Sequence, residues 1–496
     1  AVRKRAKVAR QRARRPAKPA VRAMRHVYIA AAVALAMIGC TSQHTPYKRP
    51  ASSPPAEFRG AEGGPAATQS FGDFGWWEIY GDPQLASLIR QALTRNHDIK
   101  IAAARIAEAR ATLGVAQYGP LPQANINAGA TRSRVSEVGS TPLPPNTGPN
   151  RRNFRVTGDA SYEIDFWGRL GALTAASRND LLVAELTRDV VTATLVGDVA
   201  TAWFDLVSFD QQLVITEQSV ETRRRFLELT QTRFRLGAAT RVDVDRAQAN
   251  LTAARIVIPD LRRRIAQTEN LLQFLSGSFP AAVERPRASV DGMPAAPEVP
   301  VGLPSALLER RPDIRAAEHT IIAANARLAA QRAALMPSFS LTGQLGSESG
   351  LLKNFMTSPS LIWSLGGSIV QPLINAQRNH LLVDGAAARE VQNIEQYQKV
   401  VEQSVREVSD ALIGRQEFGE VRKAQQEQVE SLREVNRVSL RRYEAGVASY
   451  FEVIDAQREL LAAELNLAQA QRNVLISSVQ LYKALGGGWQ VEGGKR

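Results

Sequence analysis

The chain of 496 residues is 44% hydrophobic and 22% charged, enough apolar material for several folded units and too much for wholesale disorder. Its one cysteine, Cys40, excludes an internal disulfide and any multi-cysteine metal or iron–sulfur site, and its five histidines (His26, His44, His97, His319, His380) form no HxxxH pair from which a zinc site is built. The formal charge of +14 does not point to nucleic acid, because 11 of the 62 lysines and arginines fall in Ala1 to Cys40 with no acid among them, leaving 51 bases against 48 acids downstream.

Residues 1–39 combine a basic extension, Met24-Arg25-His26 and an apolar run from Val27 to Ile38, too short to span a bilayer as a helix and right for a secretory signal peptide. Met24, just ahead of the run, is the expected start. The stretch Met37-Ile38-Gly39-Cys40 resembles the lipobox of bacterial lipoproteins, which implies acylation of Cys40 as the mature N-terminus. Residues 40–82 then read as a lipid-anchored segment whose Pro/Ser/Ala-rich opening offers no core.

From Pro83 onward the chain repeats itself. Asn96-His97-Asp98-Ile99 returns as Arg311-Pro312-Asp313-Ile314, and Arg233-Phe234-Arg235-Leu236-Gly237 returns as Arg442-Tyr443-Glu444-Ala445-Gly446. The repeats are placed at 83–277 and 304–487, with a proline-rich connector at 278–303 and a tail at 488–496. Each opens with a helix, Asp98 to Gln117 or Asp313 to Leu335, stopped by proline. Each then alternates apolar and polar residues as strands do, within hairpins at 121–166 and 337–373. Phe154, Val156, Gly158, Ala160, Tyr162, Ile164 and Phe166 make the clearest stripe, and runs of about 10 to 13 residues suit tilted strands crossing a bilayer. Two isolated hairpins embedded in helix leave open edges, so the strands must close with copies from other chains, which demands an oligomer.

Each hairpin is followed by about 70 residues without proline, Leu170 to Leu236 or Asn375 to Ala445, each roughly 100 Å of helix. In the second, Ile394, Tyr397, Val401, Val405, Val408 and Leu412 form a coiled-coil seam. Each long helix turns at a glycine, Gly237 or Gly446, and returns through Thr240 to Ser276 or Ser449 to Leu485.

Taken together, Trp76-Trp77, Tyr80-Gly-Asp-Pro-Gln-Leu85, Tyr162-Glu-Ile-Asp-Phe-Trp-Gly-Arg169, Arg310-Arg-Pro-Asp-Ile314, Arg442-Tyr-Glu-Ala-Gly-Val-Ala-Ser449 and Val453-Ile-Asp-Ala-Gln457 resemble the outer membrane factors of tripartite efflux systems, the TolC-like family, and most closely its lipoprotein branch. The resemblance implies an α+β membrane protein: a trimeric β-barrel of twelve strands, four per protomer, continued by a long periplasmic α-helical barrel with a mixed equatorial domain. It implies outer-membrane lipids, a periplasmic adaptor and an inner-membrane pump as partners, passive export, and neither catalysis nor a cofactor. The family's carboxylate gate maps to Glu452 and Asp455, three apart on one helix face. Its closed-state latch maps to Tyr443 and Asp243, while the arginine that completes the latch in some members falls on Ala448. The adaptor-docking tips map to Gly237, Thr240, Gly446 and Ser449.

Two other readings stand beside this one. A lipid-anchored periplasmic coiled-coil scaffold without a pore would share the long helices. A glycosidase-like pair at Glu163 and Asp165, placed on the strand's inner face, lacks any pocket signature. No run of methionines marks a copper relay.

Overall fold

The computed structural model describes residues 47–51, 54–61, 70–79, 81–139, 148–286, 304–374 and 376–489. Cys40 and the signal run lie outside them, as does the connector from residue 287 to 303. The elements follow as α1 (Trp76–Ile79), α2 (Pro83–Arg95), α3 (His97–Tyr118), β1 (Gln123–Arg134), β2 (Asn150–Ile164), α4 (Arg169–Arg235), α5 (Arg241–Leu275), α6 (Leu307–Arg310), α7 (Pro312–Ala333), β3 (Ser338–Ser349), β4 (Leu361–Val370), α8 (Ala376–Glu444) and α9 (Tyr450–Ala484). They fall into two compact units, a β unit built from residues 120–173 and 326–385 and a helical unit that holds most of the remainder.

In the β unit the strands form one antiparallel sheet in the order β1-β2-β3-β4. The two hairpins are therefore not isolated: β2 pairs with β3, opposing Tyr162 to Leu341 and Arg155 to Glu348. Because side chains alternate across a strand, the register separates two faces. One carries Ile126, Val156, Leu341, Leu345, Trp363, Leu365 and Ile369, all exposed. The other carries a polar ladder in which Asp159 accepts from Asn127, from Gln344 at 2.5 Å and from Thr157 at 3.2 Å, and Arg155 donates to Gln344 at 2.7 Å. A soluble protein would not leave so broad an apolar face uncovered, whereas hydrocarbon favours it.

The strand-to-helix corner explains the Tyr162-to-Arg169 motif residue by residue. Asp165 lies beyond the end of β2, not on it, and accepts from the amides of Leu170 at 3.0 Å and Gly171 at 2.7 Å at the first turn of α4. This corrects its placement beside Glu163 on a strand face; Glu163 instead pairs with Arg169 through both carboxylate oxygens at 2.8 Å. Gly168 takes the left-handed conformation (φ +74°) that the corner requires, and Trp167 Nε1 donates to the Pro337 carbonyl at 2.8 Å.

In the helical unit the two repeats close alike. Asn96 caps α3 and its Nδ2 donates to the carbonyl of Leu275 at 2.9 Å, at the end of α5. Arg311, its counterpart, donates to the carbonyl of Ala484 at 3.0 Å, at the end of α9, and pairs with Asp313 and Glu407. The coiled-coil seam is buried at Tyr397, Val401, Val408 and Leu412, with Ser404 rather than Val405 turned fully inward. An apolar stretch of α4 long enough to cross a membrane by composition is half buried, with Val196, Val199, Trp203 and Leu206 packed inside.

The segment ahead of α2 supplies core after all. Phe58, Phe71 and Trp76 are buried, Tyr482 Oη donates to the Phe74 carbonyl at 2.8 Å, and Arg310 pairs with Asp73 at 2.7 Å. Arg49 forks onto Glu318 with two 2.7 Å bonds and reaches Glu309 at 2.7 Å. The Pro/Ser/Ala-rich opening carries no apolar period, and the described aromatic side chains that pack here, Phe58, Phe71 and Trp76, follow none either.

Candidate functional site at the hairpin tips

The four long helices meet in pairs at two short turns of near-identical construction. Gly237 and Gly446 hold φ at +77° and +79°. Each closes the same double bond pattern: Gly237 N donates to Phe234 at 3.0 Å and Ala238 N to Arg233 at 2.8 Å, while Gly446 N donates to Tyr443 and Val447 N to Arg442, both at 2.9 Å. A Cβ at either glycine would meet open space, so backbone conformation and not crowding selects glycine there.

Three residues later a hydroxyl starts the return helix. Thr240 Oγ1 accepts from Asp243 N at 3.3 Å, and Asp243 Oδ2 accepts in turn from Thr240 N at 2.9 Å and Oγ1 at 2.8 Å. Ser449 and Glu452 repeat the arrangement, with both reciprocal bonds at 3.4 Å. These are capping boxes, which satisfy amides that no helical carbonyl can reach. Asp243, expected in the latch, and Glu452, expected in the gate, are thus equivalent positions of the two repeats.

Behind the turns, Phe226, Leu227, Ala247, Leu251, Tyr443, Tyr450 and Val453 form one apolar cluster drawn from all four helices. Phe226 stacks on Tyr450 at 5.4 Å and meets Tyr443 at 5.2 Å. Ala448 packs against this cluster, where an arginine would have to bury its charge or turn outward. The Tyr450 hydroxyl is buried without a hydrogen-bond partner, and burial, with Tyr443 and Asp243 beside it, pushes its ionisation well above the usual phenol range.

One helical turn deeper, Arg223 on α4 is 3% exposed. It donates to the carbonyls of Asn250 on α5 and Gln457 on α9, both at 2.9 Å, and Asn250 Nδ2 donates to Gln457 Oε1 at 3.1 Å. Among the described residues no carboxylate pairs with it, and burial, reinforced by Arg458, pushes its pKa down to about 10. It remains charged at neutral pH and staples both return helices to α4.

Of the expected site residues, Gly237, Thr240, Gly446, Ser449 and Glu452 are exposed at the turns, Asp455 is half-buried on the next turn of α9, and Tyr443 is buried in the cluster. Tyr443 and Asp243 flank the same Tyr450 but make no hydrogen bond to each other within the chain. Sequence reasoning missed Arg223, Arg233 and Tyr450; the last carries a signal, an aromatic residue directly after the helix-starting serine. Among the described residues no group of three or more histidine, cysteine, aspartate and glutamate side chains is placed to hold a metal ion.

A family model described as outer membrane efflux protein matches residues 88–278 and 303–487. The chain belongs to this family. It is 32% identical over 459 residues to the cation efflux system protein CusC of Escherichia coli, covering 92% of this chain and 98% of CusC. It is 36% identical over 417 residues to the solvent efflux pump outer membrane protein SrpC of Pseudomonas putida, covering 84% and 87%. The solved open state of the Neisseria gonorrhoeae MtrE outer membrane channel superposes with a TM-score of 0.81 at 27% identity, covering 91% of this chain and 99% of MtrE. As an outer membrane efflux protein the chain is an outer-membrane export channel with the α+β architecture of its family and a large periplasmic part.

Proposed function

We propose that three copies pool their strands into one twelve-stranded barrel, and that the assembly is the exit duct for substrates handed over by an inner-membrane pump through a periplasmic adaptor. The observation that carries this reading is the sheet itself, with an exposed apolar face, a polar opposite face and, among the described residues, no partner for the outer edges of β1 and β4. Lipid tolerates no such edges, and closure with identical sheets removes them.

Glu452 and Asp455 then serve as the carboxylate gate, with Asp243 and Tyr443 in the tip that holds it shut. Gly237, Thr240, Gly446 and Ser449, exposed on two turns of matching shape, receive the adaptor, and Cys40 carries the lipid. Relatives named for a cation and for solvents share this chain's architecture, which favours a permissive duct whose substrate is chosen at the pump. The family and the relatives are channels, which supports a role without catalysis.

Cross-linking of the detergent-purified protein is expected to give three chains, with ion conductance after reconstitution into planar bilayers. Recovery as a detergent-free soluble monomer would overturn the duct and favour the lipid-anchored scaffold.

A further inference from the structure

The groups that would close the tip by polar contact are engaged elsewhere. Asp243 is tied into its own capping box, and Ala448 carries no charge. Beyond the deeper crossings that Arg223 and Asn250 make to Gln457, what crosses from one hairpin to the other at the turns themselves is Arg233, at the end of α4. Its guanidinium carbon lies 4.4 Å from the centroid of the Tyr443 ring, and its Nη2 donates to the carbonyl of Glu444 at 2.9 Å. Glu444 is the last residue of α8, so that carbonyl belongs to the final turn, which has no helical donor and forms the negative end of the helix dipole. One side chain therefore satisfies an otherwise open acceptor, covers an aromatic face and places a cation where the helix is most negative.

The repeat supplies an internal comparison. Arg442 occupies the position of Arg233 in the second hairpin, yet it turns toward Glu452 of its own hairpin at 3.8 Å. Two equivalent arginines are thus used differently, and only one links the hairpins.

We propose that Arg233 is the intrachain latch of the tip, holding the α4–α5 hairpin to the α8–α9 hairpin and releasing when the two separate. The assignment rests on the reading of the tip as the gate. The aromatic cluster can slide and repack, being non-directional. The hydrogen bond fails beyond about 3.5 Å and the cation–π contact beyond about 6 Å, so a shift of about 0.6 Å ends the first and one of about 1.6 Å the second. Release is accordingly complete within about 2 Å.

The test uses the assembled, full-length protein and two readouts, hydrogen exchange at the tip amides of residues 441–447 and single-channel conductance in planar bilayers. Arg233→Ala is expected to speed exchange there at least tenfold and to raise resting conductance several-fold. Arg235→Ala removes the same charge two residues on, on the far side of the helix, where the side chain donates to Thr232 of its own helix, and is expected to match wild type in both. Tyr443→Leu, which removes the ring face, is expected to follow Arg233→Ala. Unchanged exchange in Arg233→Ala, or an equal rise in Arg235→Ala, would overturn the latch. Faster exchange with unchanged conductance would leave the latch standing and overturn the gate reading instead. If Arg233→Ala does not assemble, Arg233→Lys decides: lowered protection supports the guanidinium contact and wild-type protection sinks it.

Discussion

Thr157 and Gly346 face each other across the ladder that joins the first repeat's hairpin to the second's. A Cβ on Gly346 would lie 2.7 Å from the Cα of Thr157 and 2.9 Å from its Cγ2, and closer still to the Val156 carbonyl oxygen. Backbone atoms held in a ladder cannot retreat, and Thr157 is itself buried. Gly346→Ala is therefore expected to cost on the order of 3 kcal/mol or more, as overpacking against fixed atoms does. Assembled, heat-resistant trimer in the outer-membrane fraction should fall sharply. Gly129→Ala on β1, where a Cβ meets nothing within 4 Å, is the matched variant expected to assemble normally.

Glu452 both caps α9 and contributes charge, and the two roles separate cleanly. Glu452→Gln keeps an acceptor for the Ser449 amide, so the helix start should lose no more than a few tenths of a kcal/mol. Combined with Asp455→Asn it removes six carboxylates from a trimeric opening. Cation over anion selectivity in planar bilayers should drop while assembly is unchanged. Selectivity equal to wild type would place these acids on a solvated helix face, outside the conduction path.

Arg311 is buried against partners that are themselves about one-third exposed, Asp313 and Glu407. Water can take over much of what those acids lose, so Arg311→Leu is expected to destabilise by about 1–2 kcal/mol, below the 3–5 kcal/mol typical of breaking a fully buried pair. Thermal dissociation of the trimer measures it. Asn96→Ala, at the equivalent position, should cost a similar amount through its lost cap and its lost bond to Leu275.

His319 on α7 shares a 2.9 Å hydrogen bond with Asn179 on α4. Burial, with Arg315 assisting and Glu318 opposing, holds its imidazolium below the usual range. Its folded pKa being the lower one, the unfolded chain binds the proton first as pH falls through about 6.5, and stability declines from there downward. Melting midpoints at pH 7.5 and 5.5 should differ more for wild type than for His319→Gln; equal differences would remove His319 as the cause.

How much of this could be read from the letters depends on whether a contact leaves a period behind. The strands were legible because lipid and lumen impose opposite demands on alternate residues. The same alternation misled at Asp165 and Phe166, where the apolar–polar rhythm runs on after Ile164 although Gly168 and the capping of α4 have already ended the strand. The β2–β3 ladder was not legible, since pairing between residues nearly 200 positions apart has no local signature. At the tips the glycines and hydroxyls were readable from cap chemistry. Arg223 and Arg233 were not, because their partners are main-chain carbonyls and a ring face, and a stapling arginine is spelled like a solvated one.

The unpaired edges of β1 and β4 have a consequence for gene dosage. If no single chain can seal its sheet, insertion waits for three, and while most chains are free the yield of finished channel follows the cube of their concentration. Halving the supply of exported chain would then cut the channels formed to about one-eighth, a steepness governed by mass action and not by any regulator.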